Sequence, residues 1–304
     1  MADLRVDLAG VPLANPVLTA SGCFASGSEM DRFYDIDALG AVIVKSITLE
    51  PRQGLPTPRM AETPSGMLNA IGLQNPGIDR WIAIDLPWLQ ERGVPVVVSL
   101  AGTSVDEYRA IARKLKGLPG IVALEVNISC PNVEDRNIVF ACRPDPAAAV
   151  VDAVRREAAV PVFAKLTADV TDITEIARAV TSAGAAGLSL INTLLGMAID
   201  VESGRPRLAN IVGGLSGPAI RPVAVRAVWQ VHQALPDVPI IGMGGISSAE
   251  DALEFILAGA SAVAVGTANF VNPMAACDLV SDLAAWCDAH GVATLQHLRG
   301  KVHV

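Results

Sequence analysis

The sequence predicts an α/β protein folded as a single (β/α)8 barrel of the TIM type over residues 1–304. Short apolar runs rich in β-branched residues alternate with longer segments of helical spacing, which is the pattern of βα units around a parallel sheet. There are eight such runs, the number that closes a barrel. The runs lie near Pro16–Ser21, Ala41–Thr48, Val94–Ala101, Val122–Ile128, Val162–Thr167, Leu188–Asn192, Pro239–Met243 and Ala262–Gly266.

The composition also favours one large α/β domain. Of the 304 residues, 51% are hydrophobic, but only six are Phe, four Trp and two Tyr. The core must therefore consist mainly of aliphatic and small side chains.

Further elements are expected around these strands. Arg5–Leu8 and Val11–Leu13 flank Ala9 and Gly10, which predicts a small hairpin that closes the N-terminal end of the barrel. Several helical segments begin near Ser, Thr or Asp residues suited to an N-cap. The predicted helices are Ser104–Lys116, Pro146–Glu157, Asp172–Ala183, Pro222–Leu235 and Ala249–Ala258.

The charge and the termini exclude some classes of partner. The formal net charge is -8, whereas nucleic-acid binding normally needs a cationic face. The first residues lack the features of a secretory signal, and no apolar stretch is long enough to span a membrane. We therefore expect a cytoplasmic protein whose partners are small molecules and other proteins.

The five cysteines predict neither a disulfide framework nor a metal site. They are odd in number and contain no CxxC pair. Iron–sulfur chemistry would therefore need another chain. We interpret four of the five as packing residues, namely Cys23, Cys142, Cys277 and Cys287.

Two segments are longer than ordinary barrel loops, Leu49–Ile78 and Asn192–Gly217. Both follow strands, so they should lie over the C-terminal mouth, where barrels carry their active sites. The same face should collect residues at the ends of several strands, namely Ser21, Lys45, Ser99, Cys130, Lys165, Thr193, Gly244 and Gly266.

Glycine-bearing turns follow the seventh and eighth predicted strands, at Gly242–Ile246 and Gly266–Thr267. Glycine lets the backbone approach a ligand closely, and barrels commonly bind phosphate at these two strands. A single turn of this kind is adequately explained as a tight turn, but two at these strands favour a phosphate site. The phosphate alone does not identify the cofactor.

Two lysines end apolar strands, Lys45 and Lys165. Burial disfavours a charged lysine that has no partner. A cation near N1 and O2 of a flavin would stabilise the anionic reduced ring. The alternative is a lysine whose ammonium group reaches solvent at the rim.

The segment Asn127–Asn132 places two amides and a thiol at the end of the fourth predicted strand. Similar polar groups are expected from Asn69, Asn75, Asn192 and Thr193. A thiol can act as a base on a carbon acid where its thiolate is accessible. A free cysteine is more often a small buried hydrophobe, but its position favours the base for Cys130.

Four segments resemble the class 1 dihydroorotate dehydrogenases. They are NISCPN around Cys130, ETPSGMLNAIGLQNPG at 62–77, GGLSGPAIRPVAVR at 213–226 and IGMGGI at 241–246. The resemblance runs through essentially the whole chain, and the second and third segments look like class 1B rather than the fumarate-using class 1A.

The resemblance implies oxidation of (S)-dihydroorotate to orotate in pyrimidine biosynthesis. Cys130 would remove the C5 proton while the C6 hydride passes to N5 of FMN, with Lys45 touching both substrate and flavin. The implied substrate-binding residues are Lys45, Asn69, Ala70, Ile71, Gly72, Leu73, Asn127, Asn192 and Thr193. The implied FMN-binding residues are Ser21, Lys45, Ser46, Ser99, Asn127, Lys165, Ile191, Gly217, Met243, Gly244, Gly266 and Thr267.

Class 1B enzymes pass electrons from reduced FMN to a separate subunit, which carries FAD and a [2Fe–2S] cluster and reduces NAD+. The resemblance therefore implies one FMN per chain and a homodimer core within a heterotetramer. Three alternatives stay open: a self-sufficient class 1A homodimer using fumarate, a dihydropyrimidine dehydrogenase-like flavin barrel, and a non-catalytic barrel that binds a phosphorylated metabolite or serves as a scaffold.

The chain departs from the family pattern at two places. Val133–Asn137 stands where relatives usually have a glycine-rich lid, so we expect a stiffer or reshaped lid. Ser99 stands where many relatives have Asn, so the flavin contact there should be shorter or water-mediated.

Overall fold

Sixteen short strands define the fold in a computed structural model that describes residues 2–128 and 142–303. These are β1 (Val6–Leu8), β2 (Val11–Leu13), β3 (Val17–Thr19), β4 (Val42–Ile43), β5 (Met60–Thr63), β6 (Gly66–Asn69), β7 (Val96–Leu100), β8 (Ile121–Asn127), β9 (Val162–Leu166), β10 (Gly187–Leu190), β11 (Leu194–Met197), β12 (Ile199–Asp200), β13 (Arg205–Pro206), β14 (Val212–Ser216), β15 (Ile240–Met243) and β16 (Ala262–Val265).

Eight of these strands form a parallel sheet in the order β3-β16-β15-β10-β9-β8-β7-β4. The two end strands meet through a bridge between Leu18 and Ala41. Thr19 strengthens this junction, because its Oγ1 accepts a hydrogen bond from the Ile43 amide at 2.9 Å and donates one to the Ile43 carbonyl at 3.1 Å. The (β/α)8 barrel predicted from the sequence is therefore confirmed.

Helices cover the outside of the barrel. They are α1 (Ile78–Arg80), α2 (Leu86–Arg92), α3 (Val105–Leu115), α4 (Pro144–Glu157), α5 (Ile173–Ser182), α6 (Arg221–Ala234), α7 (Ala249–Ala258), α8 (Ala268–Val271) and α9 (Ala275–Ala289). Ser104, Asp172 and Ser248 cap α3, α5 and α7 with side-chain oxygens. The five predicted helices are confirmed to within two residues, whereas α1, α2, α8 and α9 were not predicted.

Regular structure occupies part of both segments that the sequence presented as long loops. Strands β5 and β6 come from the first segment and β11 and β14 from the second, and they form one antiparallel sheet in the order β11-β14-β6-β5. Asn69 stands opposite Gly214 in this sheet. The two segments therefore form one hydrogen-bonded cover beside the mouth of the barrel.

The barrel interior is apolar in its lower part, near the N-terminal ends of the strands, and polar in its upper part, near their C-terminal ends. Its lower part contains Phe163 of β9, packed in one cluster with residues of the predicted β1–β2 hairpin, which is confirmed. Two residues further along its strand, Lys165 faces the same interior, because strand side chains alternate. The same alternation turns Glu125, Ser99 and Ser189 inward, and all four polar residues are at most 5% exposed.

Within the described ranges, no helix combines the length and the apolar character needed to cross a lipid bilayer.

Removing the ring of Phe163 tests the barrel core. Its ring fills the space beside Gly187, where a built Cβ would lie 2.2 Å from the ring. We expect Phe163→Ala to lower the free energy of unfolding by about 3–5 kcal/mol because it leaves a cavity. Phe33→Ala, at a site 57% exposed, is the matched control and should cost less than about 0.5 kcal/mol. Urea unfolding measures both variants, and equal losses would contradict the assignment of Phe163 to the barrel core.

Candidate active site

A cavity of about 1120 Å³, measured with its open mouth, lies at the C-terminal ends of the barrel strands. Most residues that the sequence predicted for a site line this cavity. They are Ser21, Lys45, Ser46, Asn69, Ile71, Gly72, Leu73, Asn127, Lys165, Ile191, Asn192, Thr193, Gly217, Met243, Gly244, Gly266 and Thr267.

Two of the predicted site residues that the structure describes are not among the lining residues. Ala70 is 1% exposed and packs with Leu68 and Leu208 beneath the small antiparallel sheet. Ser99 is fully buried and reaches the cavity only through Ser46, since their hydroxyls are 2.8 Å apart. Cys130, like the predicted lid Val133–Asn137, lies outside the described residues.

A chain of hydrogen bonds orients the amides of the cavity. The Nδ2 of Asn127 donates to Ser46 Oγ at 2.9 Å, and Asn192 Nδ2 donates to Asn127 Oδ1 at 3.4 Å. The backbone amide of Thr193 donates to Asn192 Oδ1 at 2.8 Å. Ser99 extends the chain through its contact with Ser46. The side chains of strands β7, β8 and the segment after β10 thus hold one another in place.

The predicted grouping of Asn75 with the cavity amides is wrong. Asn75 is 7% exposed, and its Oδ1 accepts hydrogen bonds from the backbone amides of Thr48 and Gly77 at 3.2 and 2.9 Å. Its Nδ2 donates to the Leu73 carbonyl at 2.7 Å. This amide therefore holds the turn that follows β6, while Asn69 remains at the cavity and donates to the Gly214 carbonyl at 3.3 Å.

Backbone from the turns at Gly217, at Gly244 and Gly245, and at Gly266 and Thr267 lines the cavity. Gly217, Gly244 and Gly245 have φ values of 97°, 128° and 79°, which favour glycine. A Cβ at Gly245 would lie 2.7 Å from the Gly217 carbonyl oxygen, so the turns approach one another too closely for a side chain. Thr267 Oγ1 donates to Ser216 Oγ at 2.8 Å beside them. This backbone-lined, hydroxyl-bearing end has the chemistry of a phosphate site.

The two predicted lysines both line the cavity. Lys165 is 5% exposed, so the alternative of an ammonium group in solvent is wrong for this residue. Its Nζ donates to Ser21 Oγ at 3.3 Å and lies 3.7 Å from Glu125 Oε1. Glu125 was not singled out from the sequence, although a carboxylate within an otherwise apolar strand was the available signal.

Cys23 was interpreted from the sequence as a packing residue, but it lines the cavity. Burial raises the pKa of its thiol to about 11, and the positive charges of Lys45 and Lys165 oppose this shift. Cys23 is therefore protonated near neutral pH. The signal that could have identified it is its position directly after the strand that carries Ser21.

Comparison with known proteins identifies the family. The model of the family described as dihydroorotate dehydrogenase matches residues 3–286. A protein of Geobacillus kaustophilus (strain HTA426) is 53% identical over 99% of this chain and 96% of its own length. A protein of Desulforudis audaxviator (strain MP104C) is 56% identical over 98% and 97%. Both are named catalytic subunit of dihydroorotate dehydrogenase B (NAD(+)). The chain belongs to the dihydroorotate dehydrogenase family.

A solved structure shares the fold. The structure of a dihydroorotate dehydrogenase of Eimeria tenella in complex with ferulenol superimposes with a TM-score of 0.83 at 23% sequence identity, covering 98% of this chain and 88% of that chain. At this level of identity, the likeness supports the barrel architecture alone.

The raised pKa of Cys23 predicts slow alkylation. We expect its reaction with iodoacetamide to be slow at pH 8 and to rise about tenfold per pH unit towards pH 11, because only the thiolate reacts. Cys142, which is exposed, provides an internal comparison in the same sample. Peptide mass spectrometry measures both rates, and alkylation of Cys23 at pH 8 as fast as that of Cys142 would contradict the prediction.

Proposed function

We propose that this chain oxidises (S)-dihydroorotate to orotate in pyrimidine biosynthesis, with its whole length, 1–304, acting as one FMN-binding barrel domain. One observation carries the proposal. A single cavity joins a glycine-lined end, a buried lysine and a group of hydrogen-bonded amides. The names of the similar proteins support the same activity.

The cavity fits FMN. The glycine turns suit its phosphate, and the proposed cofactor-binding residues are those implied by the resemblance, with Ser99 acting through Ser46. Lys165, held by Ser21 and Glu125, suits a position where negative charge develops on a reduced flavin ring. FMN would supply the hydride acceptor, and the residues of this chain bind and orient the reactants.

The substrate would lie between the flavin and the amides. Asn69, Asn127 and Asn192 line the cavity and can each donate and accept hydrogen bonds, which suits a ring that carries both amide and carboxylate groups. Thr193 and the turn Ile71–Leu73 complete the proposed substrate set. Ala70 would contribute through its backbone, because its side chain packs beneath the small sheet.

Cys130 is the proposed base, which receives the C5 proton at its sulfur, with Lys45 beside the substrate and the flavin. This role rests on the resemblance, and Asn127, three residues earlier, ends β8 at the cavity. Cys23 is the second thiol considered. Its pKa of about 11 keeps it protonated near neutral pH, which makes it a poor base.

The electrons would leave through another protein. Similar proteins are named catalytic subunits of an NAD(+)-linked enzyme, which implies a further subunit. We propose that this subunit carries FAD and a [2Fe–2S] cluster, that it reduces NAD+, and that two of each chain assemble around a homodimer of catalytic chains in the cytoplasm. The other interpretations, fumarate-linked, dihydropyrimidine dehydrogenase-like and non-catalytic, make different predictions for flavin content and electron acceptor.

Anaerobic dihydroorotate should bleach the flavin absorbance of the purified chain. In Cys130→Ala, we expect flavin reduction to slow by about 10²–10⁴-fold with FMN still bound, because the base is lost. Cys130→Ser should retain little activity near neutral pH, because a hydroxyl is much harder to deprotonate. Cys142→Ala is the control, and stopped-flow absorbance measures all three variants. Near-normal reduction in Cys130→Ala would refute the role of this thiol.

The isolated chain should turn over neither fumarate nor NAD+ at a useful rate, because its proposed electron acceptor is the partner subunit that carries FAD and a [2Fe–2S] cluster. Adding a class 1B electron-transfer subunit should establish NAD+ reduction, followed at 340 nm. Rapid fumarate turnover by the chain alone would instead indicate class 1A. A folded chain that shows no flavin absorbance even after addition of FMN would indicate the non-catalytic barrel.

A further inference from the structure

We propose that Glu125 is the buried counter-ion of Lys165 beside the cavity, and that this ion pair sets how strongly the site favours reduced over oxidised FMN. The statement about the flavin rests on the proposed function, whereas the pairing of the two side chains does not. Glu125 is thus a positioning residue, since it acts through Lys165.

Glu125 lies in the barrel interior and not at its mouth. Its side chain has no solvent exposure, and that of Lys165 is 6% exposed. Neither carboxylate oxygen of Glu125 accepts a hydrogen bond from the described residues. The ammonium group of Lys165, 3.7 Å from Oε1, is the oppositely charged group within ion-pair distance.

Burial makes each charge dependent on the other. An ionised carboxylate or ammonium group without a partner in a protein interior is strongly disfavoured and tends to become neutral. Apart from Glu125, Lys165 contacts the neutral hydroxyl of Ser21. A second lysine, Lys45, lines the same cavity. The negative charge of Glu125 offsets the cost of burying the ammonium group of Lys165.

The two residues of the ion pair lie at different distances from the cavity. Lys165 lines the cavity, whereas Glu125 does not, so the cationic end of the pair faces a bound ligand. A negative charge developing on a flavin would therefore meet the nearer ammonium group before the more distant carboxylate. Without Glu125, the ammonium group of Lys165 would lose the buried counter-ion that holds it in this position, and the preference for a reduced ring would weaken.

Glu125→Gln tests the effect on the flavin. It keeps the size of the side chain and removes its charge. We expect reduced FMN to lose at least about tenfold in affinity relative to oxidised FMN, which for a two-electron couple lowers the midpoint potential by about 30 mV. Spectroelectrochemical titration of the FMN-loaded chain measures this. An unchanged or raised potential would overturn the proposal.

Two further variants serve as controls for the potential. Ser189→Ala alters a neutral, fully buried side chain of the same interior layer, so the potential should stay at the wild-type value. Glu125→Asp keeps the carboxylate and should retain a potential closer to that of the wild type than Glu125→Gln does. A shift in Ser189→Ala equal to that in Glu125→Gln would mean a general packing effect and would overturn the proposal.

A double-mutant cycle tests the pairing itself. Urea unfolding compares the wild type, Glu125→Gln, Lys165→Met and the double variant, each with the same amount of FMN added. Because either single change leaves a buried charge without its partner, the double variant should lose less stability than the two single losses combined. Additive losses would overturn the pairing. If a single variant does not fold, folding of the double variant meets the expectation, and failure of the double variant overturns it.

These measurements separate the two proposals. If the chain binds no FMN, the proposed function fails, and the urea cycle still measures the pair. If dihydroorotate reduces the bound flavin but the cycle is additive, the function stands and the pairing is wrong.

Discussion

Closure of eight parallel strands into a barrel is the constraint on which the rest of this structure depends. It brings the carboxyl ends of all eight strands to one face, so residues as distant in sequence as Ser21 and Thr267 line the same cavity. It also fixes which alternate residues face inward. The two end strands are joined by the bridge between Leu18 and Ala41, by the Gly40 amide bonded to the Val17 carbonyl and by the side chain of Thr19.

The interior changes character along the barrel axis. Apolar side chains around Phe163 and the β1–β2 hairpin fill the lower part, and a polar layer containing Glu125 and Lys165 lies above it. Glu125 and Lys165 are at most 5% exposed, so electrostatic interactions between them are stronger than at a surface. The layer is thus well suited to influence the charge of a ligand in the cavity, although little of it touches the cavity directly.

Local patterns in the sequence predicted the barrel and most of the residues around its mouth, because strand periodicity and helix caps depend on near neighbours. The errors arose where distant segments meet. Strands β5, β6, β11 and β14 stabilise one another across more than 120 residues, and each lies in a segment that the sequence presented as a long loop. Likewise, the separate roles of Asn69 and Asn75, and the placement of Cys23 at the cavity, depend on tertiary contacts that no local pattern shows.

The shared sheet over the mouth has an evolutionary consequence. Since residues 66–69 and 212–216 are paired through their backbones, a change in length in either segment would shift the register of the other. New ligand specificities are therefore more accessible through side-chain replacement than through insertion or deletion. Diversification of this region should proceed by compensated changes at both segments together, and the two stretches should be inherited as a unit.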